Sequence, residues 1–318
     1  MTDPEPFFSV VIPLYNKQDY IVETVKSVLN QSFGDFELLI VDDGSTDQSV
    51  AMLSQLQDTR MRIVQQENGG EPVARNAGIA QARARYIAFL DADDLWMPDF
   101  LQTAADDINA NPEITFWSGG YQFLRNSGLT PAVYSVQPLV SGFLPNYFDA
   151  CLRDPVIMPS TSIVARDVLD AAGGFPVGIS LGGDILFWAK IVQTEQLYFN
   201  PKVLVTYRRE MGNNYSVTQT APPRRLDVLD FLQARLEAGD ARSIRYFQFY
   251  SRKSAYRQAA SGRPGLGLKI LGQSVTQSLQ QGRLSAAPWY CVECLGLLRV
   301  WLRRLWALRR NRRSNSVA

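Results

Sequence analysis

Phe36-Glu-Leu-Leu-Ile-Val41, running straight into Asp42-Asp-Gly-Ser-Thr-Asp47, is the stretch whose reading decides the fold. An apolar run without Pro or Gly reads as a buried strand, and the acidic, turn-forming residues behind it lead into a helix over Thr46 to Leu56. Upstream, Phe8-Ser-Val-Val-Ile-Pro13 is a β-branched run ended by proline, and Tyr20 to Gln31 carries Ile21, Val25, Val28 and Leu29 at helical spacing. Downstream the alternation continues with a short strand at Arg62–Gln65, a helix over Pro72 to Arg83 and a strand at Tyr86–Leu90. Strands alternating with helices predict an α/β fold, Rossmann-like, with a mostly parallel central sheet flanked by helices. In such sheets ligands bind at the carboxyl ends of the strands. Tyr15-Asn16, Asp42-Asp-Gly-Ser45 and Asp91-Ala-Asp-Asp94 all follow strands, so they are expected on one rim.

Further along, Asn126 to Phe148 is uncharged but broken by Pro131, Pro138 and Pro145, which reads as loop and not as a membrane span. A strand is expected at Ser160–Val164, a helix from Asp167 to Ala172 stopped by Gly173-Gly174, a helix after Asp184 and an extended run from Leu197 to Arg208. From Pro222 the pattern is helical only, with Gly and Pro breaks. The chain therefore divides into 1–220, a helical extension over 221–283, and a basic end over 284–318.

In 318 residues, 46% are apolar and 20% charged, an ordinary globular composition. The net charge of +1 conceals an asymmetry. From Arg283 onward eight arginines face one acid, Glu293, a net +7 that leaves the first 282 residues at −6. A nucleic-acid binder with a cationic footprint over its folded body is excluded by that distribution. There is no histidine, so any general base is a carboxylate or another group, and no Ser-His-Asp or Cys-His site exists. Three cysteines cannot close a tetrahedral zinc site, and Cys291-Val-Glu-Cys294 reads as apolar packing in a Leu- and Trp-rich stretch. So few cysteines, with an acidic N-terminus lacking a signal-peptide pattern, point to the cytoplasm.

Three carboxylates in Asp91-Ala-Asp93-Asp94 are costly side by side unless a cation neutralises them, and a hard divalent ion takes oxygen ligands. The same residues would also serve as a solvated turn or as a helix cap at Asp94. Asp42 and Asp43 suit hydrogen bonds to a base or a ribose and equally a turn before a helix. In Asn68-Gly-Gly-Glu-Pro-Val-Ala-Arg75-Asn76-Ala-Gly78, backbone N–H groups and the Arg75 guanidinium suit an anionic phosphate.

Taken in order, Ser9-Val-Val-Ile-Pro-Leu-Tyr-Asn16, Val41-Asp-Asp-Gly-Ser-Thr-Asp47, Asn68 to Gly78, Phe89-Leu-Asp-Ala-Asp-Asp94, and Gly173-Gly-Phe175 with Gly182-Gly-Asp-Ile-Leu-Phe-Trp188 closely resemble glycosyltransferase family 2, across about residues 7–210. The resemblance implies the GT-A fold and an inverting enzyme dependent on a nucleotide-diphosphosugar. It puts Pro13, Tyr15 and Asn16 in the nucleotide pocket, Asp42 or Asp43 at the base, and Asn68 and Arg75 near the diphosphate. It puts Asp91 at the ribose or sugar side and Asp93 on Mg²⁺ or Mn²⁺, with Asp94 close by among the donor-binding residues, and Asp184 in the role of catalytic base. Two positions depart from the family pattern: Gly183 stands where Glu usually precedes Asp184, and Tyr207-Arg-Arg-Glu210 replaces Tyr-Arg-x-His. Glu210 is accordingly expected to take a metal or acceptor contact. The Gln-x-x-Arg-Trp element of processive synthases is absent, so a single sugar is expected to be added to a glycan or lipid-linked acceptor.

The stretch from Trp289 to Leu308 sets Leu295, Leu298, Leu302, Leu305 and Trp306 against Arg299, Arg303 and Arg310, the profile of a helix lying on an anionic membrane surface. Packing on the catalytic domain is its alternative use. The expected enzyme is thus peripheral on the inner face of the membrane. The contrasting reading is a non-catalytic scaffold that retains the fold with a degenerate site.

Overall fold

β1 (Phe8–Leu14) and β2 (Phe36–Asp42) are buried at every residue, as strands with neighbours on both edges and helices on both faces must be. The structure, a computed structural model, describes residues 5–135, 140–179, 182–209, 226–237, 243–260, 265, 267–272 and 274. β3 (Met61–Gln65) lies beyond β2 and β4 (Tyr86–Phe89) lies on the other side of β1, all four strands parallel. The connecting helices are α1 (Ile21–Leu29), α2 (Ser49–Leu53) and α3 (Glu71–Gln81). Pro13 fits inside this sheet because β4 pairs with β1 only over Phe8–Val11, so its missing N–H falls where that ladder has ended.

α2 is shorter than the helix expected over Thr46 to Leu56. The N–H groups of Thr46 and Asp47 donate to Asn16 Oδ1 at 2.8 and 3.3 Å, and Asp47 accepts from Gln18 N and Ser49 N. These bonds commit residues 45–47 to the β1–α1 turn, and the helix begins behind them. β5 (Leu95–Trp96) and α4 (Phe100–Ala110) follow the acidic cluster.

Beyond β4 antiparallel strands join the sheet, while its α/β architecture is the one expected. β6 (Phe116–Arg125), β9 (Ser162–Ala165) and β10 (Tyr198–Arg208) complete the order β3-β2-β1-β4-β9-β6-β10-β5. β9 runs antiparallel to both β4 and β6, because a 3-10 turn at Pro159–Thr161 feeds it downward from the ligand rim. Gly119-Gly120 stands in the middle of β6. A Cβ on Gly120 would sit 2.5 Å from the Pro201 carbonyl, so glycine there admits the bulge of β10. The segment expected as loop carries two short strands, β7 (Gly128–Pro131) against β6 and β8 (Gly142–Phe143) against β10, before α5 (Tyr147–Ala150). α6 (Arg166–Ala172) and α7 (Gly183–Ile191) bracket the Gly173-Gly174 stop.

Met1–Thr218 forms one compact unit and Gln219–Ala318 another. In the second, α8 (Leu226–Glu237) buries Val228 and Leu232, and α9 (Ile244–Ala260) buries Phe247, Tyr250 and Ala255. No helix among the described residues is long and apolar enough to cross a membrane. Glu210, Cys291, Cys294 and the basic amphipathic stretch lie outside the described residues.

Candidate functional site

The three strand-end clusters meet. Lys17, one residue past Asn16, places its Nζ 2.5 Å from Asp93 Oδ2, and Thr24 on α1 donates to the Ala92 carbonyl at 3.1 Å. The β1–α1 turn is itself anchored to the segment after β2, through Asn16 N to Ser45 Oγ (3.1 Å) and Lys17 N to Ser49 Oγ (2.8 Å). Asn16 holds a left-handed backbone, φ +50°, which Asn tolerates better than most residues and which aims its side chain at residues 46 and 47. Tyr15 beside it is exposed, a ring open to a ligand at the rim.

Asp42 and Asp43, expected to read a base, are nearly buried and hold the loop together. Asp43 accepts from Gly69 N and Gly70 N at 2.8 Å and from Gln66 Nε2 at 2.7 Å, while Asn68 Nδ2 donates to the Asp43 carbonyl. Asp42 accepts from Ser45 N and Gln65 Nε2. The glycines that looked available to a phosphate thus give these two N–H groups to a carboxylate.

Arg75 on α3 is buried, and its Nη2 serves two acids, Asp91 at 2.6 Å and Glu71 one turn before it. Its guanidinium stacks on the Phe175 ring, 5.1 Å to the centroid. Phe175 is fixed from behind by Phe89, Phe187 and Trp188 and from the side by Asn76, whose amide pairs with both the N–H and the C=O of Phe175. Arg75 therefore stands by the expected diphosphate side already paired, and what it holds in place is Asp91.

Asp94 departs from the expectation of a donor contact. It is wholly buried, with Oδ1 accepting from Arg208 N at 3.0 Å and Oδ2 from Ser160 Oγ. Ser160 also accepts from Asp91 N, so one carboxylate ties the acidic loop, the turn before β9 and the end of β10 together. Burial, followed by the charges of Asp93 and Asp91, raises its pKa well above the ordinary carboxylate range, against the pull of Ser160 and the Arg208 N–H.

Asp184 stands on the first turn of α7, where a carboxylate also meets the positive helix end. Its field reaches the same group. Crowding by protein, then the charges of Asp91, Asp184 and Asp93, raise the Glu71 carboxyl above its ordinary range against the pull of Arg75, although half of its side chain stays open to solvent. Tyr207 on β10 is likewise raised, by burial and then by Asp94, Asp91, Asp93 and Asp184. Burial works to lower the Lys17 ammonium, but Asp93, Asp91 and Glu71 outweigh it and hold it above its ordinary value. Glu71, Asp91, Asp93 and Asp184 thus gather around two cations, Arg75 and Lys17, and Asp94 lies buried within reach of Asp93 and Asp91. Such a gathering of mutually perturbed groups marks a functional site.

The donor set fits a hard divalent cation: oxygen ligands only, and more negative charge than the two side-chain cations balance. Among the described residues no three acids converge on a single point as a closed metal cage. That arrangement suits Mg²⁺ or Mn²⁺ in the mode that uses one or two carboxylates and leaves the remaining positions to phosphate oxygens and water. Lys17, Glu71, Asn76, Ser160 and Tyr207 were not singled out from the sequence. Glu71 and Arg75 do carry a signal there, since they stand four apart on one helix face.

This fold is that of glycosyltransferases. S. aureus TarS residues 1–349, solved in complex with UDP-GlcNAc, matches with a TM-score of 0.68 at 19% identity, over 94% of this chain and 92% of that one. Residues 9–171 match the model of Glycosyl transferase family 2, more than half the chain, and the protein belongs to that family. Among curated relatives, an uncharacterized glycosyltransferase of Rickettsia felis is 33% identical over 210 residues, 65% of this chain and 33% of that protein. The putative teichuronic acid biosynthesis glycosyltransferase TuaG of Bacillus subtilis is 36% identical over 172 residues, 52% of this chain and 65% of TuaG. The chain thus spans less than two-thirds of the length of these relatives.

Proposed function

We propose that this glycosyltransferase moves a single sugar, with inversion, from a UDP-linked or related nucleotide-diphosphosugar to a hydroxyl of a glycan or lipid-linked precursor in cell-surface polysaccharide synthesis. What supports the reading is that a candidate base, Asp184 on the first turn of α7, and the acids of the donor side, Asp91 and Asp93, carry charges that reach the same neighbours, Glu71 and Tyr207. The teichuronic acid role in the name of TuaG and the UDP-GlcNAc in the TarS complex support the substrate classes.

Asp184 takes the proton of the acceptor hydroxyl as that oxygen bonds to the anomeric carbon. The bond from that carbon to the diphosphate oxygen breaks, and its electron pair leaves with the diphosphate. Attack from the face opposite the leaving group inverts the anomeric centre. Asp93, with Asp91 beside it, would hold Mg²⁺ or Mn²⁺, which supplies neutralisation of the charge that builds on the diphosphate. Arg75 keeps Asp91 oriented, and Tyr15 offers its exposed ring to the base. The enzyme works in the cytoplasm, and the basic end of the chain brings it to an anionic membrane surface.

Thermal stabilisation by nucleoside diphosphates tests this, because binding to the folded state alone must raise its stability. A ligand at a hundred times its Kd adds about 2.7 kcal/mol, roughly 5–10 °C at this size. One nucleoside diphosphate should give such a shift with Mn²⁺ in wild type and lose it in Asp93→Ala. No shift with any nucleotide would return the protein to the scaffold reading.

A further inference from the structure

Lys17 occupies an unusual place for a lysine at an anionic-ligand site: its ammonium lies 2.5 Å from one oxygen of Asp93, and only 24% of its side chain reaches solvent. No other protein hydrogen bond to Asp93 is formed among the described residues. Asp91 and Glu71 add their charges at the same ammonium. Around it, the backbone is tied down on either side. Lys17 N donates to Ser49 Oγ, Asn16 Oδ1 takes two N–H groups of the following loop, and Gln18 N donates to Asp47. The Cα is therefore fixed, while a four-carbon stem with rotatable donors can swing about it.

Two other cations among the described residues, Arg75 and Arg208, have no such freedom. Arg75 is buried, stacked on Phe175 and bound to two acids. Arg208 is bound to Glu23 and lies over the Tyr20 ring. Among the described residues, a diphosphate arriving at this rim thus meets in Lys17 a cation that is held by a single ion pair and mounted on a flexible stem.

We propose that Lys17 is a resident counter-ion that a divalent cation displaces from Asp93, and that the freed ammonium then turns to the diphosphate of the donor. The ammonium and the metal compete for the same carboxylate oxygen, so each weakens the binding of the other there. Once displaced, the ammonium lies among uncompensated charge, and the phosphate oxygens are its nearest new partners. Metal and diphosphate loading are then coupled through one side chain: metal binding releases the cation that recognises the diphosphate, and by linkage diphosphate binding favours the metal. This inference rests on the donor and metal assignments proposed above and adds to them the order of exchange at Asp93.

The test uses the full-length protein and three variants, Lys17→Met, Lys17→Gln and Lys17→Arg. Free Mn²⁺ is followed by electron paramagnetic resonance during titration of the nucleotide-free protein. UDP and UMP affinities are then measured by calorimetry at saturating Mn²⁺. Removing the charge should tighten Mn²⁺ binding without nucleotide about five- to tenfold, the low end of coupling between two sites. The same variants should lose about as much of the preference for UDP over UMP, and Lys17→Arg should keep that preference. Having both Met and Gln guards against one variant that fails to fold. If Mn²⁺ and UDP bind the wild type and both neutral variants equally well, the inference is overturned and the transferase reading stands. If the wild type binds neither, the inference falls together with the donor and metal assignments.

Discussion

Asn76 offers a sharp test of how this site is built, because one amide spans 99 residues of chain: Nδ2 donates to Phe175 O at 2.9 Å and Oδ1 accepts from Phe175 N at 2.7 Å. Phe175 is 2% exposed and forms the floor on which Arg75 lies. Asn76→Ala leaves a buried N–H and a buried C=O without this partner. Leaving each of the two buried groups without its partner costs about 1–3 kcal/mol, reduced where the turn relaxes toward water. A loss near 3 kcal/mol follows, which for a unit of this size lowers Tm by roughly 6–12 °C. Asn76→Asp keeps the acceptor but turns a carboxylate oxygen toward the Phe175 carbonyl. The introduced carboxyl is raised above its ordinary value by burial and by the facing carbonyl. Its protonated form can still donate, so the stability of this variant is fullest below the ordinary Asp value and is lost as pH rises through the raised folded value. Thermal melts of wild type and both variants between pH 3.5 and 7.5 read this directly. An Ala variant melting within a degree of wild type, or an Asp variant whose deficit does not shrink toward low pH, would refute the reasoning.

Two further predictions concern the frame. In Gly78→Ala the new methyl carbon would overlap Val11 Cγ1, so α3 must move off β1; a loss of about 1–3 kcal/mol is expected in a denaturant titration, with an unchanged m-value. Glu37, nearly buried in β2, accepts from Ser9 Oγ, Arg83 N and Arg83 Nε, and although burial works against it these bonds hold its pKa below the ordinary value. Its contribution is therefore present above the ordinary Glu value and is lost as pH falls through the lowered folded one. Against wild type, Glu37→Gln should show a flatter loss of stability across that acid window.

The parallel half of the sheet was legible because its signals are local: apolar runs, helical spacing and turn residues stand next to one another in the chain. The meeting of Asn16, Asp42 and Asp93 was also legible, since parallel strands put their carboxyl ends on one edge. What escaped was whatever depends on distant partners. Thr46 and Asp47 stand ahead of the helix, in a turn pinned by the Asn16 amide 30 residues away. The need for glycine at position 120 shows only once the bulge of β10 is laid across it. Within Asp91-Ala-Asp-Asp94 composition cannot separate the three acids. The fold does so, burying Asp94 against Ser160 and the Arg208 N–H while leaving Asp93 to Lys17. Arg75 reads as a phosphate ligand when taken alone and as the support of Asp91 once Glu71 and Phe175 are in place.

Asp184→Asn tests the central claim most directly, because it removes the proton acceptor while keeping shape and hydrogen-bonding capacity. Sugar transfer to an acceptor and donor affinity should be measured on the same preparation. The account predicts a loss of at least about a hundredfold in turnover, the usual scale for a positioned general base, with affinity for the nucleotide-sugar within about threefold of wild type. Turnover close to wild type, or loss of donor binding in step with turnover, would contradict Asp184 as the base.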